Sequence, residues 1–82
     1  MYSIQDTATG VYSAPFASHN NNVAMRQFGD LANDQNTNIY KHPSDFRLCR
    51  IGEWDDDQGK ITHEEIQQLA WAGDMRDEPP SH

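Results

Sequence analysis

The chain has 82 residues, 35% of them hydrophobic, with 13 acidic against 6 basic side chains and a formal charge of -7. That length suits one domain, since typical domains hold about 100–150 residues, and no apolar run approaches the roughly 20 residues of a membrane span. The acidic excess repels nucleic acid and anionic membranes at long range, although charge can still segregate onto a local basic face.

Tyr2 and Ile4, then Val11 and Tyr12, read as two short strands joined by the turn-rich Thr7-Ala8-Thr9-Gly10. Pro15 has no N–H to donate and is expected to end the pairing. The polar loop His19–Asn22 offers an Asn as helix N-cap. From Val23 to Asn33, the residues Ala24, Phe28, Leu31 and Ala32 recur at i, i+4, i+7 and i+8, the apolar face of a helix, with Arg26, Gln27 and Asp30 outside it. Asn33–Asn38 is a polar loop with turn chemistry. Pro43 turns His42 away from helix and opens a new element. Phe46–Ile51 reads as a strand partly buried on both sides, Asp57-Gln58-Gly59 as a turn, and Lys60-Ile61-Thr62 as a short return strand. Thr62-His63-Glu64-Glu65 matches a capping box. Ile66, Leu69 and Ala70 then form a helical face that Gly73 stops. Asp77–His82 is expected to be a disordered tail. The fold class is therefore α+β, one small domain over residues 1–76, with two β-hairpins and two helices in the order β-β-α-β-β-α.

Several segments carry a family resemblance. They are Tyr2-Ser3-Ile4-Gln5-Asp6, Ala14-Pro15-Phe16, and Val23-Ala24-Met25-Arg26-Gln27-Phe28 with Asp30. Tyr40-Lys41-His42-Pro43-Ser44-Asp45-Phe46 and Ile51-Gly52-Glu53-Trp54-Asp55-Asp56 with Gly59 follow. In that order, over residues 1–62, the chain resembles the small nonstructural protein of gokushovirus-type microviruses, isometric phages with circular single-stranded DNA. The resemblance implies a non-enzymatic accessory role in viral DNA replication, in which the protein binds DNA and promotes single-stranded genome synthesis. It implies the cytoplasm of the infected bacterium as the place of action and supplies no catalytic residues.

The residues themselves point to a candidate nucleic-acid site at Tyr40, Lys41, His42, Arg47, Arg50 and Trp54. Three of the six Lys/Arg residues cluster there beside aromatics, and cations with interleaved rings suit single strands, charges on phosphates and rings on unpaired bases. The competing reading makes Phe46 core and the cations ordinary surface partners of the acidic excess. Trp54–Glu65 nearly matches a calcium-binding EF-hand loop, but Trp54 stands where the first ligand belongs and cannot coordinate calcium. An acidic hairpin turn before a capped helix accounts for the same residues.

His19, His42, His63 and His82 lack metal-ligand spacing, and no cofactor motif appears. Cys49 reads as a small buried hydrophobe. As the lone cysteine it forms no internal disulfide and suits a reducing compartment, and Met1–Asp6 lacks a signal-peptide pattern. The thin core favours a homodimer, with Trp71 either reaching a second subunit or packing over its own sheet. Two functions compete: binding single-stranded DNA, or an acidic module contacting a viral or host replication protein without touching DNA.

Overall fold

In the computed structural model, residues 1–76 are described, so the tail expected at Asp77–His82 lies outside the described residues. Strand β1 (Tyr2–Asp6) folds back on β2 (Val11–Tyr12), with Gly10 at φ 80° completing the turn. The strand ends at Tyr12, but Pro15 interrupts the pairing without ending it. Phe16 returns to Tyr2 with two backbone hydrogen bonds of 2.9 Å.

Helix α1 (Asn21–Ala32) starts where Asn20 takes an extended backbone and its side chain accepts from the Val23 N–H. That cap satisfies one of the donors left without a partner in a first helical turn. Ala24, Phe28, Gly29 and Ala32 are buried, while Leu31 sits at the margin of that face, 37% exposed. The polar stretch after α1 turns through Asp34 and Thr37. The Thr37 hydroxyl then caps a short helix, α2 (Asn38–Lys41), which the polar composition of the stretch conceals. A 3-10 turn at Pro43–Asp45 leads into β3 (Phe46–Asp55).

The expected C-terminal helix is not formed. Residues Lys60–Trp71 are a single strand, β4, followed by a 3-10 turn at Ala72–Met75. The order is thus β-β-α-α-β-β, in an antiparallel four-stranded sheet ordered β2-β1-β3-β4. The misleading signal has a physical origin in the β3–β4 register. Leu48 faces Ala70 while Cys49 faces Gln68, so Leu69 is an extra residue. Further along, Arg50 faces Gln67 and Gly52 faces His63, so Glu64–Ile66 stand against Ile51 alone. These bulges break the period-2 alternation of β4 and space Ile66, Leu69 and Ala70 as a helix would. Thr62 and Glu65, the pair expected to form a capping box, both lie inside β4, and Glu64 between them pairs with Arg50.

The core lies between the helices and one face of the sheet. Tyr2, Ala24, Phe28, Ala32, Ile39, Leu48 and Ala72 are buried together, with Ile4, Phe16, Phe46 and Met75 packed against them. The long hairpin of β3 and β4 runs past this core and gives the molecule extents of 51 × 25 × 21 Å. Gly52 holds the hairpin together at its crossover, because a Cβ there would collide with the Thr62 carbonyl oxygen. Gly52→Ala is therefore expected to lower unfolding free energy by roughly 2 kcal/mol or more, as forced backbone displacements do. A urea transition identical to that of the parent would show that the two strands do not approach so closely.

Candidate functional site

Antiparallel pairing sets which side chains share a face of the sheet. In the register Tyr2↔Arg50, Ile4↔Leu48 and Asp6↔Phe46, one set of residues faces the helices. The alternate set, Ser3↔Cys49 and Gln5↔Arg47, faces away from them. Tyr12 lies opposite Gln5, Trp71 opposite Arg47, and Gln68 opposite Cys49. Tyr12, Gln5, Arg47 and Trp71 therefore form one row across all four strands, on the face outside the apolar cluster.

Arg47 organises this row. Its Nε donates to Gln5 Oε1 at 2.6 Å, Nη1 to Gln68 Oε1 at 3.0 Å, and Nη2 to the Tyr12 hydroxyl at 3.3 Å. All three partners are neutral, and among the described residues Arg47 has no carboxylate partner. The guanidinium is thus fixed in place with its charge uncompensated, and it retains N–H donors beyond those three bonds. Ser3 and Cys49 are sealed beneath the larger side chains of this face, Ser3 donating to the Ser13 carbonyl at 2.8 Å. Burial pushes the Cys49 thiol up from its ordinary value, and the nearby Arg47 charge only partly opposes this.

The six residues expected to form one patch are distributed over three places. Tyr40, Lys41 and His42 sit at α2 and the turn after it. The Tyr40 ring lies 3.9 Å below the Arg76 guanidinium, whose Nη1 also donates to the Tyr40 carbonyl at 2.8 Å. His42 is exposed beside a small hollow shared with Asp6, Asn38 and Phe46. Arg50 faces the helix side of the sheet and binds Glu64 and Glu53, each at 2.8 Å. Donating to the Glu64 carboxylate raises the Arg50 pKa, and accepting that same bond lowers that of Glu64. Arg50 has the carboxylate partners that the surface-pair reading describes, and its charge is balanced locally. Trp54 lies on the helix side too, 53% exposed, over a groove bounded by the start of α1. Only Arg47 joins the open row, and Gln5, Tyr12, Gln68 and Trp71 beside it were not singled out by sequence as its partners.

The acidic stretch Asp55–Asp57 groups three carboxylates, and Asp55 already has a structural use. Its Oδ1 accepts from the N–H groups of Asp57 and Gln58 at 3.0 and 3.1 Å, closing the hairpin turn. The residues after this turn form a strand, so the loop-then-helix arrangement of an EF-hand is absent here.

The family model described as phage ORF5 protein matches residues 1–75. No curated protein and no solved structure gives a significant match to the chain.

Because Cys49 is wholly buried with a raised thiol pKa, a maleimide or disulfide reagent at neutral pH is expected to leave native protein unmodified. Full labelling should appear in denaturant. Rapid labelling of the native protein would mean that this face does not close over Cys49.

Proposed function

The chain belongs to the phage ORF5 protein family, and from that premise we propose that it acts by binding single-stranded DNA during viral genome replication. It is a phage accessory protein; the motif resemblance supports reading it as the small nonstructural protein of a gokushovirus-type microvirus, and on that reading it works without catalysis in the cytoplasm of the infected bacterium. One observation carries the DNA reading. Arg47 keeps an unneutralised charge, held by Gln5, Gln68 and Tyr12 on the sheet face turned away from the helices, with Trp71 opposite it in the register. A fixed cation between aromatics on a sheet is the combination that lets phosphates meet charge while bases stack. The overall charge of -7 keeps such binding weak and strongly salt-dependent. A homodimer that sets two such faces side by side would offset part of that repulsion.

A second reading is an acidic module that contacts a viral or host replication protein and no DNA. It is favoured by β4, a twelve-residue strand at the edge of the sheet, because an edge strand offers unpaired backbone groups to another chain.

Fluorescence anisotropy of labelled single-stranded and duplex DNA across a salt series separates the two. Arg47→Ala is expected to flatten the salt dependence for single strands by about 0.7 in log–log slope, the effect of one lost phosphate contact. Trp71→Ala should cost about 1–3 kcal/mol through lost stacking. Arg50→Ala should leave the slope unchanged, because Arg50 is already neutralised by Glu53 and Glu64. Absence of binding at low salt, together with a protein partner that survives nuclease treatment, would replace the DNA reading with the second one.

A further inference from the structure

The sheet is longer than the helix that covers it. Helix α1, twelve residues long, spans about 18 Å, whereas β4, also twelve residues, spans about 40 Å if fully extended. Where α1 begins, the helix side of the hairpin is left open as a groove of about 940 Å³. Trp54 borders it, 53% exposed, with Ile61 directly opposite on β4 and 47% exposed. The facing wall is His19, Asn20, Asn21 and Asn22. Asn20 Oδ1 accepts from the Val23 N–H, and Asn21 Oδ1 from the Tyr2 hydroxyl. Those bonds use only the oxygens, and among the described residues the amide NH₂ groups of both residues have no partner and Asn22 and His19 make no side-chain hydrogen bond. Ser18 Oγ, in the same wall, is buried with no hydrogen-bond partner.

We infer that this groove takes one unpaired nucleobase, stacked on Trp54 with its polar edge toward the Asn20–Asn22 amides. Charge decides for a base and against a phosphate. Two cations lie at the groove, Arg50 bound to Glu53 and Glu64 and the Met1 ammonium donating to the Gly52 carbonyl at 2.7 Å, and the carboxylates of Glu53, Asp56 and Glu64 outnumber them. An anion gains nothing there, but a neutral planar ring with donors and acceptors on its edge gains both stacking and hydrogen bonds. The volume falls within the range of small-molecule sites, about 300–1,000 Å³. This inference rests on the single-strand reading above but uses the opposite face of the sheet, so the two fail separately.

The test follows the two tryptophan indole N–H resonances by NMR while deoxyadenosine or deoxycytidine is added to millimolar concentration, with deoxyribose 5-phosphate as the control. The Trp54 resonance and the Asn20–Asn22 side-chain amides are expected to shift with nucleoside and to ignore the sugar phosphate. Trp54→Ala should weaken single-stranded DNA binding about 5- to 150-fold, the usual range for one lost base stack, with the salt slope unchanged. Trp54→Phe should recover most of that loss. A Trp54 resonance that ignores nucleoside, or that responds equally to sugar phosphate, overturns the inference. So does a shift driven by protein concentration alone, which would place a second copy of the chain in the groove. If Arg47→Ala weakens DNA binding and Trp54→Ala does not, the open face stands and the groove is excluded.

Discussion

Strand β4 pairs with β3 and with no other strand in the sheet order β2-β1-β3-β4. Its extended form from Lys60 to Trp71 depends on that one ladder, bulges included. Local preference over this stretch runs the other way, through a capping-box pattern and apolar residues at helical spacing. Tertiary pairing overrides it, as it does where an ordered neighbour supplies hydrogen bonds that an isolated short helix must make alone. The N-terminal residues are tied to the other edge of β3, where they extend its ladder with β1: Ile51 donates to the Met1 carbonyl at 3.0 Å, and the Met1 amino group donates to the Gly52 carbonyl at 2.7 Å.

Most of what is distinctive about the surface follows from β4 being a strand. Were it a helix, Trp71 and Gln68 would not stand beside Arg47, and Glu64 would not reach Arg50. The pairing sorts two arginines three residues apart into different environments. Arg47 projects to the open face and meets only neutral amides and a phenol, while Arg50 projects to the helix side and is held between two carboxylates. One keeps its charge available and the other does not. A chain with a formal charge of -7 can therefore still present a local cationic point to a polyanion, at short range and under salt control.

The first hairpin, α1 with its Asn cap, and the onset of β3 were all legible, because each is dictated by neighbours in sequence: Gly10 in the turn, Asn20 before the apolar face, Pro43 after His42. The cap of α2 by Thr37 was hidden inside a run of polar residues that reads as loop. The candidate site was only partly legible. Sequence proximity grouped Tyr40, Lys41, His42, Arg47, Arg50 and Trp54, yet alternation along a strand sends Arg47 and Arg50 to opposite faces. Tyr40 is taken up by Arg76, thirty-six positions away. The partners of Arg47 come from β1, β2 and β4, and only strand register brings Gln5, Tyr12, Gln68 and Trp71 together. A single sequence with a bulged strand does not disclose that register.

The central claim is that the face organised by Arg47 is where this phage protein meets single-stranded DNA. Chemical-shift mapping of the labelled protein with a short single-stranded oligonucleotide tests it most directly. The account predicts that the side-chain signals of Gln5, Arg47, Gln68 and Trp71 move together and return toward their starting positions as salt is raised. Perturbation confined to Lys41 and His42, or no perturbation of the Arg47 guanidinium at saturating oligonucleotide, would contradict it.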